Sequence, residues 1–381
     1  MAGQLTIETI RTEDAFLKLE PEWNDLLERA EVHHPFLTFE WIRTWWECFG
    51  KGHSLHVVIA RDGGTLVAVA PLMRDVVWEY GLRVRRLQLM CNDHTPRLDC
   101  LAVDDRAWRA IWTHLHAADS ARWDVLQLRQ ITATSSAGEA MQQMADDAGH
   151  LYGSWPASVS PYVSLRGTWD EYLAGRSYQH RKKMRAKLRH LHEEGEVELE
   201  IVTGGGKLAG ALESGLAIEA AAWKASEGTA IRSHAAVRTF YARFAERAAA
   251  RGWLELQFLT LDGQRIAFAY DLRYRQKIYR LKIGYDPVHA RHSPSQLLCM
   301  LSLERAFSEG LTELDFLGED EPWKRAWATS ARPHHWLYIC APCLRSRLFH
   351  YAKFRLVPRI KKHSVVSVLG RTASAFSATA H

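Results

Sequence analysis

The pattern of apolar and polar positions divides the first third of the chain into alternating helices and strands. Apolar residues at helical spacing predict helices in "DAFLKLEPEWNDLLERA", "PFLTFEWIRTWWECFG" and "RAWRAIWTHLHAA". The run "LHVVIARDGGTLVAVAPLM" predicts two strands joined at Asp62-Gly63-Gly64, because such turns favour hairpins. Further strands are predicted in "RRLQLM", "LDCLAV" and "WDVLQLRQI".

The same order of elements returns in the second half. Helices are predicted in "ALESGLAIEAAAWKAS", "AAVRTFYARFAERAAARG" and "SQLLCMLSLERAFSEG". Two strands flank Asp262-Gly263, and "QKIYRLKIGY" and "LTELDFLG" predict two more. We therefore predict an α/β (α+β) chain with two copies of one unit, each a mixed, mostly antiparallel twisted sheet flanked by helices.

Between the two halves, residues 178–192 predict a basic helix. Its Lys and Arg residues surround a narrow stripe of Met184, Leu188 and Leu191. Such a face can contact nucleic acid or lipid. We favour the third interpretation, in which the helix lies across the junction of the halves with its charges solvated.

Length and composition fit a globular protein of two domains, with 381 residues, 47% hydrophobic and 24% charged. We predict an N-terminal half over residues 1–160, a C-terminal domain over 161–342 and a basic amphipathic tail over 343–381. The N-terminus has no signal-peptide pattern and no run is long enough to cross a bilayer, so we expect a cytoplasmic protein. "CAPC" at Cys340 and Cys343 is interpreted as ordinary reduced thiols, and no metal site is predicted.

Charge is distributed unevenly along the chain. The net charge is +5, yet residues 322–381 contain eleven Lys and Arg and no Asp or Glu. A basic tail suggests an anionic partner, such as a phosphate-rich cofactor, lipid headgroups or nucleic acid, or else it is simply solvated. The interleaved apolar and basic residues of "CLRSRLFHYAKFRLVPRIKK" favour peripheral contact with the inner face of a membrane.

Several stretches carry candidate chemistry. "YDPVHARHSPSQLL" places Arg291, His292, Ser293, Ser295 and Gln296 where a helix begins after a strand, an arrangement that favours an anion. Asp93 and His94 form a candidate base pair in the loop "CNDHTPRLDC". No dinucleotide-binding, P-loop or serine-hydrolase motif is present.

Two further stretches combine charges with tryptophan. "WKASEGTAI" contains Trp223, Lys224 and Thr229 near a helix end, and Lys224 could neutralise an anion. "LDFLGEDEPWKRAWA" brings Asp320 and Lys324 together at a strand end, where such surroundings can shift a pKa for proton transfer. The alternatives are a packed indole in the first stretch and a neutralised surface turn in the second.

Together these motifs, in this order, resemble the bacterial GNAT acyltransferases of the CelD (cellulose-biosynthesis) type, which are related to the FemAB enzymes and have two GNAT-like halves. The resemblance is strongest over residues 160–335. It implies transfer of an acyl group from acyl-CoA, or an acyl carrier protein, to an amine. It places the thioester arm beside the strand that ends at Tyr285 and the pyrophosphate on the following helix. Where relatives have Ser-Pro-Gly, this chain has Ser293-Pro294-Ser295, and the added Cβ is expected to restrict close approach.

For the reaction, we predict Asp93 and His94 as base and Tyr285 as the acid that protonates the thiolate. Lys224, Lys282 and Lys324 are candidates for holding anionic groups. Three questions remain open. The donor could instead be aminoacyl-tRNA, as in a FemAB-like enzyme, which is less favoured. The acceptor could be a long-chain amine such as a sphingoid base or an exopolysaccharide precursor, and the chain could also be a GNAT-like binding protein without catalysis.

Overall fold

The computed structural model describes residues 5–360 except 31, 33, 118–122, 134 and 225–234, and only the backbone of 117, 136, 137 and 222–224. The strands are β1 Leu5–Ile10, β2 Ser54–Asp62, β3 Thr65–Glu79, β4 Leu82–Leu89, β5 Leu101–Ala102, β6 Val125–Thr132, β7 Tyr152–Ser164, β8 Val197–Val202, β9 Leu254–Leu261, β10 Gln264–Tyr274, β11 Lys277–Tyr285, β12 Glu313–Asp315 and β13 Ser330–Cys340. The helices are α1 Glu13–Leu17, α2 Glu20–Arg29, α3 Phe39–Phe49, α4 Asp105–Ala117, α5 Ser136–Asp147, α6 Trp169–Ala174, α7 Tyr178–Glu194, α8 Leu208–Lys224, α9 Ala235–Ala250, α10 Pro294–Ser308, α11 Pro322–Trp327 and α12 Leu344–Tyr351.

These strands form one long mixed sheet that runs through both halves. Its order is β1-β2-β3-β4-β6-β13-β7-β12-β11-β10-β9-β8, with β5 paired to β3. Each half contains two helices, a hairpin, a strand, a helix and a strand, and in each the last two strands are parallel: β4 with β6, and β11 with β12. The predicted fold class and the repeated unit are confirmed. The domain limits remain a prediction, and β7 spans the boundary expected near residue 160.

Local turn chemistry explains the two hairpins. Asp262 and Gly263 both have positive φ, 49° and 75°, which is the geometry that matches the twist of the flanking strands. Asp262 also accepts the Glu196 backbone N–H at 2.8 Å, so this turn fixes the edge strand β8. Gly63 and Gly64 have φ of 54° and 88° in the first hairpin.

Three predicted elements differ from the structure. The first predicted helix is interrupted after Leu17 and resumes as α2 with Pro21 in its first turn, where the missing N–H has no cost. Of "LDCLAV" only Leu101–Ala102 is a strand, and of "LTELDFLG" only Glu313–Asp315. The second shortening has a cause: the Asp315 carboxylate accepts the Leu317 N–H at 2.9 Å, which turns the chain.

Aromatic packing and ion pairs join α3 of the first half to α9 of the second. The Trp41 ring lies 5.0 Å from that of Phe240 and 4.8 Å from that of Phe244, both edge to face. Beside them, Glu47 pairs with Arg247 at 2.8 Å. The two halves therefore share a core and not only a sheet.

A buried ion cluster joins the halves at the centre of the sheet. The Asp315 carboxylate, fully buried on β12, binds Arg97 of the first half and Arg332 of β13, each at 2.7 Å. His334 accepts from Arg97 Nε at 3.4 Å through Nε2 and donates through Nδ1 to the Ser158 carbonyl at 3.3 Å, so the neutral ring is required. Burial and the Arg97 charge lower the pKa of His334 to about 4.

This cluster predicts a pH dependence of stability. The pKa of His334 is lower in the folded protein than in the unfolded chain, so between about pH 6.5 and 4 the unfolded chain binds a proton that the folded protein does not. We therefore expect the free energy of unfolding to fall by about 2–3 kcal/mol over this pH range. His334→Gln keeps one acceptor and one donor without titrating. We expect denaturant titrations to show a shallower loss for His334→Gln between pH 6.5 and 4.5 and similar stability at pH 8. Equal slopes for the two proteins would contradict this role.

Candidate functional site

The site begins where β11 and β12 separate. The two strands pair in parallel only over residues 277–279 and 313–315. Beyond Asp315 the chain turns at Leu317, whose φ is 55°, while β11 continues to Tyr285. On its other side β11 has a register break with β10 that leaves Leu281 without an opposite residue. A cleft therefore opens along the second part of β11.

Two cavities meet in this cleft. The strand cavity, about 470 Å³, follows β11 to the start of α10, and its lining includes Tyr285, Ser293, Ser295, Gln296 and Trp323. The inter-half cavity, about 610 Å³, lies between the loop after β4 and the C-terminal half, and its lining includes Asp93, His94, Gln130, Ser158, Tyr241, Glu319, Asp320 and Trp336. Both cavities are lined by Leu281, Lys282, Phe316 and Lys324.

His94 faces the inter-half cavity from the first half of the chain. Its ring is edge-on to Tyr241 of α9, with centroids 6.1 Å apart. Asp93 lies at the rim, where its side chain is 91% exposed and pairs with Arg129 at 2.8 Å. His94 thus lines the wall of the inter-half cavity, whereas the Asp93 carboxylate faces solvent and pairs with an arginine; their predicted roles as base stay predictions.

Lys282 lies where the two cavities meet. Its Nζ is 5.5 Å from the centre of the Tyr241 ring. Burial lowers the pKa of Lys282, Glu219 opposes this shift and Lys324 adds to it. A lysine whose ammonium is desolvated gives up its proton more readily than one in water. Its predicted place in the substrate site therefore gains a geometric basis.

Tyr285 lines the strand cavity together with Lys282 but does not line the inter-half cavity, which His94 faces. It is three residues beyond Lys282 on β11, so the two side chains point to opposite faces and are separated by about 10 Å along the strand. Tyr285 packs against the core beneath α10, whereas Lys282 lies beside Tyr241. Its predicted role as the acid stays a prediction.

The start of α10 has an unusual cap. Ser293 is the N-cap residue but has left-handed backbone geometry, φ 52° and ψ 57°, and its side chain makes no capping bond. Instead its Oγ accepts from Lys187 of α7, which also donates to the Arg291 carbonyl at 2.9 Å. Ser295 has no positive φ, so the expected glycine is not required by the backbone there. Gln296 Oε1 accepts from Trp327 Nε1 at 2.8 Å.

Lys187 lies at this site, although no sequence motif marks it as a site residue. The basic helix was predicted, but its position beside the start of α10 depends on tertiary packing. Burial, and the charge of Lys183 one turn away, lower the pKa of Lys187. The predicted solvated helix face is therefore solvated only in part.

Arg291 and His292 lie elsewhere. Both bind Glu194 at the end of α7, at 2.9 and 3.0 Å, and neither belongs to the lining of the strand cavity. These contacts with Glu194 hold the turn before α10 against α7. The structure thus gives their predicted role in cofactor binding no geometric support.

Lys324 has a structural role in place of the predicted anion-binding one. Its Nζ donates to the carbonyls of Leu317 and Glu319, both at 3.0 Å, and pairs with Glu321 at 2.9 Å. These three acceptors use its three donors. Asp320 pairs with Arg325 at 3.2 Å at the rim of the inter-half cavity.

Three of the predicted site residues lie wholly or partly outside the described part of the structure. Thr229 lies in the undescribed range 225–234, and the side chains of Trp223 and Lys224 are also outside the description. Within the described residues, no group of three or more His, Cys, Asp or Glu is placed to hold a metal ion. In the same residues no helix has the length and apolar character needed to cross a bilayer. All six cysteines are free thiols.

Comparison with known proteins finds a match in the C-terminal half. Residues 179–325 match the family model described as an acetyltransferase (GNAT) domain, and this range includes all the residues that line the strand cavity. The crystal structure of FemX aligns with 91% of this chain and 99% of its own, at 12% identity and a TM-score of 0.61. A conserved protein of unknown function from Bacteroides thetaiotaomicron VPI-5482 aligns over 88% and 100%, at 10% identity and 0.55. At such identities the likeness shows the fold alone, and no curated protein matches the chain by sequence.

The contacts of Lys324 predict a stability effect. Lys324→Met leaves two backbone carbonyls and one carboxylate without their donor, so we expect the free energy of unfolding to fall by about 2–3 kcal/mol. The matched control is Arg325→Met, which removes an exposed ion pair and should cost less than about 1 kcal/mol. Chemical denaturation measures both, and equal small losses would refute the structural role.

Proposed function

We propose that this chain, with a GNAT domain at residues 179–325, is an N-acyltransferase that moves an acyl group from acyl-CoA, or an acyl carrier protein, to an amine. The observation that carries the proposal is the meeting of two cavities at Lys282, one beside an open strand and one between the halves. One cavity suits a long thioester arm and the other suits an acceptor. The finer resemblance to CelD-type and FemAB enzymes is part of the proposal.

The donor arm is proposed to lie in the strand cavity. Past residue 279 the edge of β11 that faces away from β10 no longer pairs with β12, so its backbone can bind the amides of a pantetheine arm. At the far end of the cavity, the start of α10 offers the Ser295 backbone N–H and the positive end of the helix dipole, whereas the N–H groups of Gln296 and Leu297 donate to the Ser293 carbonyl. Lys187 adds a cationic side chain there. These features favour a phosphate group on the donor.

The acceptor is proposed to bind in the inter-half cavity. Glu319 lines this cavity and forms no ion pair within the described residues, so its negative charge favours a protonated amine; Asp93 and Asp320 are each paired with an arginine. The ammonium proton passes to solvent before the attack, and His94 is the proposed base for the second proton, which the nitrogen releases as it attacks. The proposal is supported by the positions of His94 and Lys282, which both lie beside Tyr241 and line the inter-half cavity.

The proposed step forms one bond and breaks one. The amine nitrogen bonds to the thioester carbonyl carbon and its proton passes to His94. The carbonyl oxygen takes the electron pair, held by the Lys282 ammonium, and returns it as the C–S bond breaks. The leaving thiolate takes a proton from Lys282, which replaces Tyr285 in this role because it lies at the junction. The products are an amide and the free thiol.

The alternatives differ in donor or in catalysis. A FemAB-like enzyme would take aminoacyl-tRNA, and α7 offers the cationic face that this donor needs; its affinity should fall steeply with salt. A GNAT-fold binding protein would bind ligand without turnover. Calorimetry with acetyl-CoA and with a long-chain acyl-CoA separates these cases. If neither binds, the donor is a carrier protein or aminoacyl-tRNA, or the protein is not a catalyst.

Lys187 provides the first test of the donor site. Lys187→Met removes the cation beside the start of α10, and we expect acetyl-CoA to bind about tenfold more weakly in calorimetry, a loss of about 1.4 kcal/mol. Lys182→Met, on an exposed position of the same helix, is the matched control and should leave the affinity unchanged. Equal affinities of the two variants would place the phosphates elsewhere.

Lys282 provides the second test. We expect Lys282→Met to lower kcat by about a hundredfold or more, measured as thiol release with a panel of primary amines. Because its pKa is lowered, wild-type activity should decline with rising pH before the value of 10.5 usual for lysine is reached. Lys282→Arg keeps the charge but cannot release a proton, so it should recover only part of the rate. Full recovery would mean that Lys282 acts by charge alone.

A further inference from the structure

We infer that residues 344–360 form a docking surface for an anionic lipid bilayer, beside the cavity in which the acceptor is proposed to bind. These residues form α12, a π-helical turn at Ala352–Leu356 and a final helical turn to residue 360. The inference deepens the proposed function, because it gives the acceptor a source in the membrane.

The inner side of this segment is fixed to the sheet. Phe349 and Phe354 pack in a small core with Tyr338 of β13. Ser346 Oγ donates to the Asp124 carbonyl at 2.7 Å, and Gly153 leaves space for the Phe354 ring. The segment therefore presents one defined face outward.

That outward face carries apolar side chains in a continuous stripe. The stripe consists of Leu344, Leu348, Tyr351, Leu356 and Ile360, with exposures from 44% to 73%. The spacing is four, three, five and four residues, and the step of five crosses the π-helical turn, which keeps the stripe on one side. Nothing in the described part of the chain covers it. Five large exposed apolar side chains in one short helical segment indicate an interaction surface.

Cations alternate with this stripe. Arg347, Arg355 and Arg359 are exposed and form no ion pair within the described residues, whereas Arg345 is paired with Asp124 at 3.2 Å. No Asp or Glu follows Glu321 in the sequence. A second copy of this surface would meet it with like charge, and nucleic acid would leave the aliphatic stripe in water. Phosphate and hydrocarbon occur together at the boundary of an anionic bilayer, so that is the occupant we assign.

The segment also lies close to the inter-half cavity. The Phe354 ring stacks on Trp155 with centroids 5.9 Å apart. Trp155 is directly opposite Trp336 in the β7–β13 pairing, and Trp336 lines the cavity. Docking of the segment would therefore bring the cavity wall near the lipid headgroups. An amine with a long hydrocarbon chain is the class of acceptor that this position favours.

Flotation with lipid vesicles tests the inference on the full-length protein. We expect flotation with vesicles of phosphatidylcholine containing about one third phosphatidylglycerol, and little with phosphatidylcholine alone. Two triple variants alter the surface independently: Leu348→Ser/Tyr351→Ser/Leu356→Ser and Arg347→Gln/Arg355→Gln/Arg359→Gln. Each should lower the bound fraction about tenfold or more at limiting lipid.

The matched control neutralises the other basic surface. Lys182→Gln/Arg185→Gln/Arg189→Gln removes three charges from α7 and should leave vesicle binding unchanged. Loss of binding in this control, or no flotation of the wild type, overturns the inference. The inference is also overturned if the protein binds RNA through Arg347, Arg355 and Arg359 but does not bind vesicles. It is overturned as well if the protein is a dimer and the triple serine variant is a monomer.

Failure of this inference can be distinguished from failure of the proposed function. Acetyl-CoA calorimetry on the same variants reports the donor site, which none of these substitutions contacts. Intact acetyl-CoA binding without flotation contradicts the docking surface alone. Flotation without binding of acetyl-CoA or long-chain acyl-CoA contradicts the donor assignment alone. Melting temperatures within a few degrees of the wild type show that the exposed substitutions keep the fold.

Discussion

The buried carboxylate of Asp315 is the contact on which both cavities depend. It binds Arg97 from one half and Arg332 from the strand between the halves, and it also accepts the Leu317 N–H. The first bond holds the loop that carries His94 against the C-terminal half. The last bond ends β12 and turns the chain away from β11, which opens the cleft. Because a buried charge is stable only when paired, the cluster ties the geometry of the cleft to the docking of the two halves.

Local signals in the sequence were sufficient for most of the architecture. Asp262-Gly263 identified a hairpin because both positions adopt positive φ, and helical spacing identified α7 and α10. The insertion of β13 between β6 and β7 was not predictable, because it depends on pairing between strands distant in sequence. The shortness of β12 likewise depends on Asp315 accepting a backbone N–H, which no pattern of apolar residues reports.

The candidate site was predicted residue by residue, but not as an arrangement. His94 and Lys282 were both named, and the structure brings each beside Tyr241 from different halves. Tyr285 lines the strand cavity but lies on the other face of β11 from Lys282, because successive side chains of a strand alternate between its two faces. Lys324 resembled an anion-binding residue, yet its acceptors are carbonyls that become available only when the chain turns at Leu317. Tertiary contacts, not residue types, separate these cases.

The arrangement of the two cavities bears on how transfer would proceed. They share a short wall, so donor and acceptor can approach from different sides and occupy the protein together. Of the two lysines in that wall, Lys324 is held by its three acceptors and Lys282 is the one directed at the junction. Under the proposed function, the burial that lowers its pKa would also exclude water from a bound thioester and so strengthen a charge placed next to the developing oxyanion. Direct transfer between two bound substrates is then the mechanism that the two cavities favour, with the proposed docking surface of residues 344–360 on the acceptor side and α7 on the donor side.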